Sequence, residues 1–240
     1  MRKSLLLILL FVSSIAFGQY SDEQLFADYL RRDLHSWRTF IETADWEKAD
    51  TRERMRIINY EYGCIASAID SVPDKAPGYL AKFKQHIESL HGTIPESTYC
   101  TYASAAAAYD FMLDKSKLFS AGLKSFNLCK EAVEHDPNDP IALTLKGNVD
   151  FYAPKGLGGN KKRALEEFLK AERIFKERGG YRYLWNYWAM QLCIAQCYDK
   201  TGDIDNAITQ CKKILKENPD FEYVRDEYLP SLLKRKQKGK

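Results

Sequence analysis

The sequence predicts an all-α fold, an α-solenoid of stacked antiparallel helix hairpins, and three observations lead to this prediction. Apolar residues recur at spacings of three and four over most of the chain, which is the pattern of amphipathic helices. Proline and glycine interrupt this pattern at short intervals. No segment alternates apolar and polar residues beside a hairpin turn, as a half-buried strand would.

Residues 1–18 are predicted to be a cleaved signal peptide. Two basic residues precede an apolar run at 5–17, which is short for a membrane span, and small residues precede the expected cleavage site between Gly18 and Gln19. An uncleaved anchor helix is the alternative. We therefore expect a periplasmic or secreted protein without stable membrane insertion after cleavage.

An N-terminal helical cap is expected over residues 19–54. Ser21 and Gln24 form a capping box, in which the serine side chain and the glutamine three residues later satisfy backbone groups at a helix start. The helix that they open carries one apolar stripe: Phe26, Leu30, Leu34, Trp37 and Ile41.

Nine further helices are predicted, and all but one of the turns between them contain proline or glycine. Short turns between helices of this length favour antiparallel neighbours. The expected helices cover residues 52–70, 79–90, 95–113, 118–135, 140–152, 160–177, 182–200, 204–217 and 221–236.

An internal repeat is clearest between residues 188 and 219. Ala195 and Tyr198 lie on one predicted helix, Ala207 and Cys211 lie on the next, and Pro219 closes the unit. Small residues let two crossing helices approach, while proline prevents the second helix from continuing. These residues resemble the tetratricopeptide repeat, a helix–turn–helix unit of about 34 residues.

Weaker copies precede this unit. One copy has Gly147 at its first small position and a longer turn around residues 152–159, another ends at Pro137, and a fourth begins near Gly63. We therefore expect about four degenerate repeats over 55–220, followed by a capping helix and basic tail over 221–240. The sequence is similar to exported repeat proteins of Gram-negative envelopes.

The resemblance implies a non-catalytic scaffold or adaptor that binds a partner protein or peptide on a concave face. Asn148 matches one position of the carboxylate clamp known in the family, but Thr144 and Leu192 replace its lysines, so capture of an acidic C-terminus is not expected. On the family frame, the partner-binding residues are Tyr60, Tyr102, Thr144, Asn148, Gln196, Asp199 and Lys200.

Two alternative functions belong to other classes. Aromatic hairpins could self-associate as a structural component of an envelope assembly. A tyrosine-rich cleft around Tyr99, Tyr102 and Tyr109 could instead bind a small envelope ligand such as a glycan.

The chain is not expected to be an enzyme or to hold a cofactor or metal. It has no HExxH, G-x-S-x-G or CxxC motif, and its four histidines are scattered. The glycine-rich segment 156–162 lacks the ending of a phosphate loop, so Asn160 is expected simply to cap the following helix. A formal charge of only +3 also argues against nucleic acid as a partner.

Six cysteines in an exported chain raise the question of disulfides. Their spacing is not that of a small disulfide-rich domain. Buried free thiols are the expected state, and one bridge from Cys193 or Cys197 to Cys211 is the alternative.

Overall fold

The computed structural model describes residues 20–238, except the side chain of Leu157, so the predicted signal peptide lies outside the described residues. Across 20–238 the chain forms α-helices with short 3₁₀ and π turns, and this range contains no strand. The all-α prediction is confirmed. No helix in the same range is both long and apolar enough to cross a bilayer.

The α-helices follow one another with short connections. They are α1 (Asp22–Leu30), α2 (His35–Thr43), α3 (Thr51–Ser71), α4 (Ala76–Ser89), α5 (Glu96–Leu113), α6 (Leu123–His135), α7 (Pro140–Tyr152), α8 (Lys161–Arg178), α9 (Trp185–Lys200), α10 (Ile204–Glu217) and α11 (Leu229–Lys238).

From α3 to α10 the helices pack as four successive pairs. Helix α3 packs on α4, α5 on α6, α7 on α8 and α9 on α10, and the second helix of each pair also contacts the first helix of the next. This stacking of adjacent antiparallel pairs is the predicted α-solenoid.

Small residues allow the close helix crossings that the repeat pattern predicts. A Cβ on Gly147 would lie only 2.7 Å from Cδ1 of Phe168, so α7 and α8 meet at a point where only glycine fits. Ala164 and Ala171 on α8 and Ala195 on α9 are fully buried. The packing agrees with the pattern, while membership of the tetratricopeptide family stays a prediction.

Two predicted helix caps are confirmed. The Ser21 hydroxyl accepts a hydrogen bond of 3.1 Å from the Gln24 amide at the start of α1. The Asn160 side chain accepts bonds from the amides of Lys162 and Arg163, 3.0 and 3.2 Å long. The glycine-rich segment before α8 is therefore a turn that ends in a helix cap.

The predicted first helix differs from the structure, since it is broken into α1 and α2. Arg32 between them has φ of +60°, in the left-handed region, and the carboxylate of Asp33 accepts the amide of His35 at 3.1 Å. The apolar stripe continues through this break, which is why the spacing of apolar residues predicts one helix there.

Two other predicted helices begin with π turns, Leu118–Gly122 before α6 and Tyr223–Tyr228 before α11. The second has a clear cause in Pro230. Proline donates no amide proton, and its ring would clash with the carbonyl of Asp226 four residues earlier in a regular α-helix. A wider π turn in the preceding segment relieves that conflict.

Candidate functional site

Three of the seven predicted partner-binding residues are buried. Tyr60, Tyr102 and Thr144 are 3%, 5% and 8% exposed. The Tyr102 hydroxyl donates to Asn59 at 3.3 Å, and the Thr144 hydroxyl donates to the Pro140 carbonyl at 2.7 Å. The cavity beside Tyr102 and Thr144 measures about 10 Å³, enough for a single water. The expectation that these three side chains line an open groove is therefore corrected.

The N-terminal helices account for the burial of Tyr60. Its ring packs edge-on against Trp37 and Phe40 of α2 at centroid distances of 4.9 and 5.4 Å. Its hydroxyl donates to Asp22 of α1 at 3.2 Å. The face of α3 that the repeat pattern assigns to a partner is thus occupied by the chain's own α1 and α2.

The same two helices reach the other end of the solenoid. Phe26 lies 6.3 Å from Trp188 of α9, and Tyr29 lies 5.5 Å from Phe221, just after α10. Arg32 forms an ion pair with Glu227 in the last π turn. Helices α1 and α2 therefore bridge the first and last pairs of the solenoid.

Asp199 is also occupied within the chain. It forms an ion pair with Arg235 of α11 at 2.7 Å and accepts the Tyr228 hydroxyl at 3.3 Å. Its side chain is only 7% exposed. Asp199 consequently secures the C-terminal helix to α9, in place of the expected contact with a partner.

The remaining predicted residues keep some access to solvent. Asn148 and Gln196 are half-buried, and Lys200 is exposed. The Asn148 side chain partly offsets the rise that burial causes in the pKa of Tyr62, and its Oδ1 lies 3.8 Å from the Cys193 sulfur. Asn148 thus belongs to a polar cluster inside the solenoid.

Tyr152 extends this cluster towards solvent. Its hydroxyl partly offsets the rise that burial causes in the pKa of Cys193, while 68% of its surface is exposed. Burial raises the pKa of both Tyr62 and Cys193 to about 12, because it disfavours their charged forms. The cluster is therefore neutral at physiological pH, and Cys193 is a poor nucleophile.

The predicted tyrosine-rich cleft around Tyr99, Tyr102 and Tyr109 does not form. The Tyr109 hydroxyl donates to the Tyr62 carbonyl at 2.7 Å within the core. Tyr99 stacks on His91 at 3.9 Å and donates to Glu88 at 3.1 Å. Tyr102 and Tyr109 are each only 5% exposed, so the three rings do not share one open surface.

An open cleft of about 560 Å³ lies elsewhere, between α1, the turn before α9 and the end of α10. We call it the α1–α9 cleft. Two consecutive glycines, Gly179 and Gly180, have φ near +70° and let the chain turn sharply after α8. The side chains that line the cleft include Glu23, Phe26, Tyr181, Arg182, Tyr183, Trp188, Glu217 and Asp220.

Contacts within the lining fix its aromatic wall. The Tyr183 hydroxyl donates to Glu23 at 2.9 Å, and this bond to a carboxylate raises the pKa of Tyr183. The Trp188 indole donates to the Arg182 carbonyl at 2.9 Å. Phe26 lies 6.2 Å from Tyr183, so the helix α1 forms one side of an aromatic wall.

The rim of the α1–α9 cleft is acidic. Glu23, Glu217 and Asp220 line it together with one arginine, Arg182. Its guanidinium lies 5.4 Å from the Tyr183 ring centre, in a cation–π arrangement. The cleft thus combines aromatic faces with carboxylate acceptors, a surface suited to a neutral or cationic ligand rich in hydrogen-bond donors.

Sequence reasoning missed this cleft because its residues are far apart in the chain. Glu23 and Asp220 are brought together only by the packing of α1 across the solenoid. A local signal did exist in the segment 179–188, where glycines are followed by five aromatic residues. Such a cluster at a turn indicates a surface with a packing or binding role.

Comparisons with known proteins give few neighbours. No family model and no curated protein matches the chain. Among solved structures, it is similar to the HusA haemophore from Porphyromonas gingivalis, with 18% sequence identity and a TM-score of 0.47. That match covers 78% of this chain and 97% of the haemophore.

Proposed function

We propose that this protein is an exported, non-catalytic binding protein whose α1–α9 cleft takes a small ligand rich in hydroxyl groups, such as a glycan. The observation that carries the proposal is the cleft itself. Its volume of about 560 Å³ lies within the usual range of small-molecule sites, about 300–1,000 Å³.

The lining supports this class of ligand. The rings of Tyr181 and Tyr183 are half-buried and offer flat apolar faces to the C–H groups of a sugar ring, and tyrosine hydroxyls can donate or accept hydrogen bonds. The carboxylates of Glu23, Glu217 and Asp220 accept hydrogen bonds from ligand hydroxyls. Three acidic groups against one arginine disfavour an anionic ligand.

The test is thermal unfolding in the presence of neutral chito-oligosaccharide fragments of different lengths. A ligand at one hundred times its Kd should stabilise the fold by about 2.7 kcal/mol. Tyr183→Ala should weaken the binding at least about tenfold, since it removes a ring face and the partner of Glu23. Recovery of the ligand unchanged by mass spectrometry would agree with a non-catalytic role.

A matched control is Tyr99→Ala. Tyr99 is also a half-buried tyrosine whose hydroxyl donates to a glutamate, at 3.1 Å against 2.9 Å for Tyr183, but it lies away from the cleft. This variant should keep full affinity. If no fragment stabilises the protein, or if Tyr183→Ala binds as tightly as Tyr99→Ala, the proposal fails.

A partner protein is a second candidate, and a different observation favours it. Phe119, Leu123 and Phe126 are 77%, 61% and 41% exposed; Leu123 and Phe126 stand three apart on one face of α6, and Phe119 lies in the π turn just before it. An exposed apolar stripe of this kind is typical of association surfaces. The predicted self-association would use this stripe.

Sedimentation equilibrium tests this second candidate. Wild-type protein should show a concentration-dependent oligomer, and Leu123→Asp should be monomeric at the same concentrations. A monomeric wild type would contradict self-association. The adaptor hypothesis would then require a different protein as the partner, bound at Asn148, Gln196 and Lys200. A photo-crosslinker at position 148 would then identify that partner.

A further inference from the structure

The open end of the α5–α6 pair brings together three side chains that commonly bind metals. Glu96 is the first residue of α5, and Cys100 follows one turn later, so both lie on one helix face. His135 is the last residue of α6. One donor atom from each of the three lies within 4.8 Å of the other two.

The spacing is close to that of a tetrahedral zinc site. With Zn–S near 2.3 Å and Zn–N or Zn–O near 2.0–2.1 Å, neighbouring ligand atoms stand about 3.5 Å apart. The Cys100 sulfur lies 3.7 Å from Oε1 of Glu96. His135 is exposed, so its ring can rotate the remaining distance without disturbing the core.

The chemical types of the three donor atoms indicate which metal ion the site would prefer. A cysteine sulfur, a histidine nitrogen and a carboxylate together favour Zn²⁺ over the hard cations Mg²⁺ and Ca²⁺, which prefer oxygen ligands alone. Cys100 is 2% exposed and is held in place by the core, which gives the site one fixed ligand.

A second histidine stands beside the carboxylate. Nε2 of His91 lies 3.5 Å from Oε2 of Glu96, whereas Oε1 is the oxygen near Cys100, and the His91 ring stacks on Tyr99. His91 can therefore orient the carboxylate, as partners of metal ligands commonly do.

We propose that Glu96, Cys100 and His135 bind Zn²⁺, with His91 as a positioning residue for Glu96. The metal would join the start of α5 to the end of α6. The local core there is small, comprising Cys100, Ala132 and Ala142 with a few partly buried neighbours. A bound metal would therefore stabilise an end of the hairpin that has little apolar packing of its own.

The test is a titration of tag-free, chelator-treated protein with Co²⁺ and then Zn²⁺. We expect one equivalent of Co²⁺ to give a thiolate-to-cobalt charge-transfer band and the strong visible absorption of four-coordinate cobalt, both lost on addition of Zn²⁺. Cys100→Ala should abolish the charge-transfer band. His135→Ala should weaken Zn²⁺ binding at least about tenfold.

Cys129→Ala is the matched control, because Cys129 is equally buried at 2% exposure but lies outside the cluster. It should keep the cobalt spectrum. His135 and His91 are exposed, so their variants stay informative even if Cys100→Ala does not fold. His91→Ala should reduce affinity less than His135→Ala does.

The proposal is overturned by a wild-type protein that binds Co²⁺ without a thiolate band, or by one that binds no metal. It is equally overturned if His135→Ala and wild type bind Zn²⁺ with the same affinity. Since the α1–α9 cleft shares no residue with this cluster, these results are independent of the ligand test.

Discussion

Gly63 lies where α3 passes beneath two tryptophan rings. A Cβ at this position would stand 2.5 Å from Cζ3 of Trp37 and 2.9 Å from Cζ2 of Trp185. Both rings are buried, so neither can retreat without disturbing its neighbours. We expect Gly63→Ala to lower the free energy of unfolding by about 1–3 kcal/mol.

Urea denaturation measures this loss, and Gly78→Ala is the control. Gly78 lies on α4, where an added Cβ meets no atom of the described residues within 4 Å. Alanine there should leave stability unchanged or raise it by up to about 1 kcal/mol. Equal stabilities for the two variants would contradict the close approach of α3 to the tryptophans.

The reactivity of the cysteine thiols tests whether these side chains are buried. All six are free and buried in the structure. Burial raises the pKa of Cys100 to about 11 and that of each of the other five to about 12. Since only the thiolate reacts, native protein should react with a disulfide reagent at pH 8 about a thousandfold more slowly than an exposed cysteine.

After unfolding in guanidinium, all six thiols should react. A count of four in the denatured, unreduced protein would instead show one disulfide, and would support the alternative of a bridge from Cys193 or Cys197 to Cys211. Rapid reaction of native protein would contradict the burial of these side chains.

At the scale of the helices, one acidic residue connects α8 to α10. Glu172 of α8 accepts hydrogen bonds from Lys176 at 2.7 Å and from Lys213 of α10 at 2.6 Å. Burial alone would raise the pKa of Glu172, but the bonds and charges of the two lysines outweigh it and lower the pKa below the ordinary 4.5.

Because the pKa is lower in the folded state, the stabilisation is present above the ordinary pKa and is lost as pH falls through the folded value. We expect Glu172→Gln to reduce the free energy of unfolding by about 1–2 kcal/mol at pH 7. Urea titrations from pH 7 to pH 3 should show this difference shrinking below about pH 4.5.

Glu166→Gln is the control on the same helix, where Glu166 is exposed. It should change stability by less than about 0.5 kcal/mol at every pH. If the difference in free energy of unfolding between wild type and Glu172→Gln is the same at pH 3 as at pH 7, the loss comes from packing and not from the ion pairs.

The helices were largely predictable from the sequence because proline, glycine and apolar spacing act locally. The bounds of α3, α7 and α10 agree with the predicted ones to within about two residues, the usual uncertainty of helix ends. The break between α1 and α2 was not predictable by this means, since Arg32 adopts its left-handed conformation without glycine, asparagine or proline nearby.

The candidate site was much less predictable. Asn148 keeps partial access to solvent, so its predicted role stays a prediction, but Tyr60 is covered by α2 and Asp199 is held by α11. Both coverings join segments distant in sequence, and hydrophobic spacing carries no information about which distant surfaces meet. The tetratricopeptide pattern predicts the role of each position within a repeat. It does not predict how helices outside the repeats pack against them.

At the scale of the whole molecule, α1 and α2 alter the behaviour expected of a solenoid. In a linear array each repeat contacts only its neighbours, so the terminal repeats unfold first. Here Phe26 and Tyr29 of α1 contact Trp188 and Phe221, and Arg32 pairs with Glu227, 195 residues away. The two ends of the chain should therefore unfold together.

Hydrogen exchange on Phe26→Ala tests this coupling. Removing a buried phenylalanine ring typically costs about 3–5 kcal/mol. We expect faster amide exchange in α1 and also in α9 and the π turn Tyr223–Tyr228, because the lost ring connects these segments. The control is Ile87→Ala on α4, a comparably buried change in a different core cluster, which should accelerate exchange mainly in α3, α4 and α5.

If the effect of Phe26→Ala is confined to α1 and α2, those helices are an independent cap. The α1–α9 cleft would then be formed by a segment that detaches without disturbing the solenoid, and ligand affinity should fall with the population of the attached state.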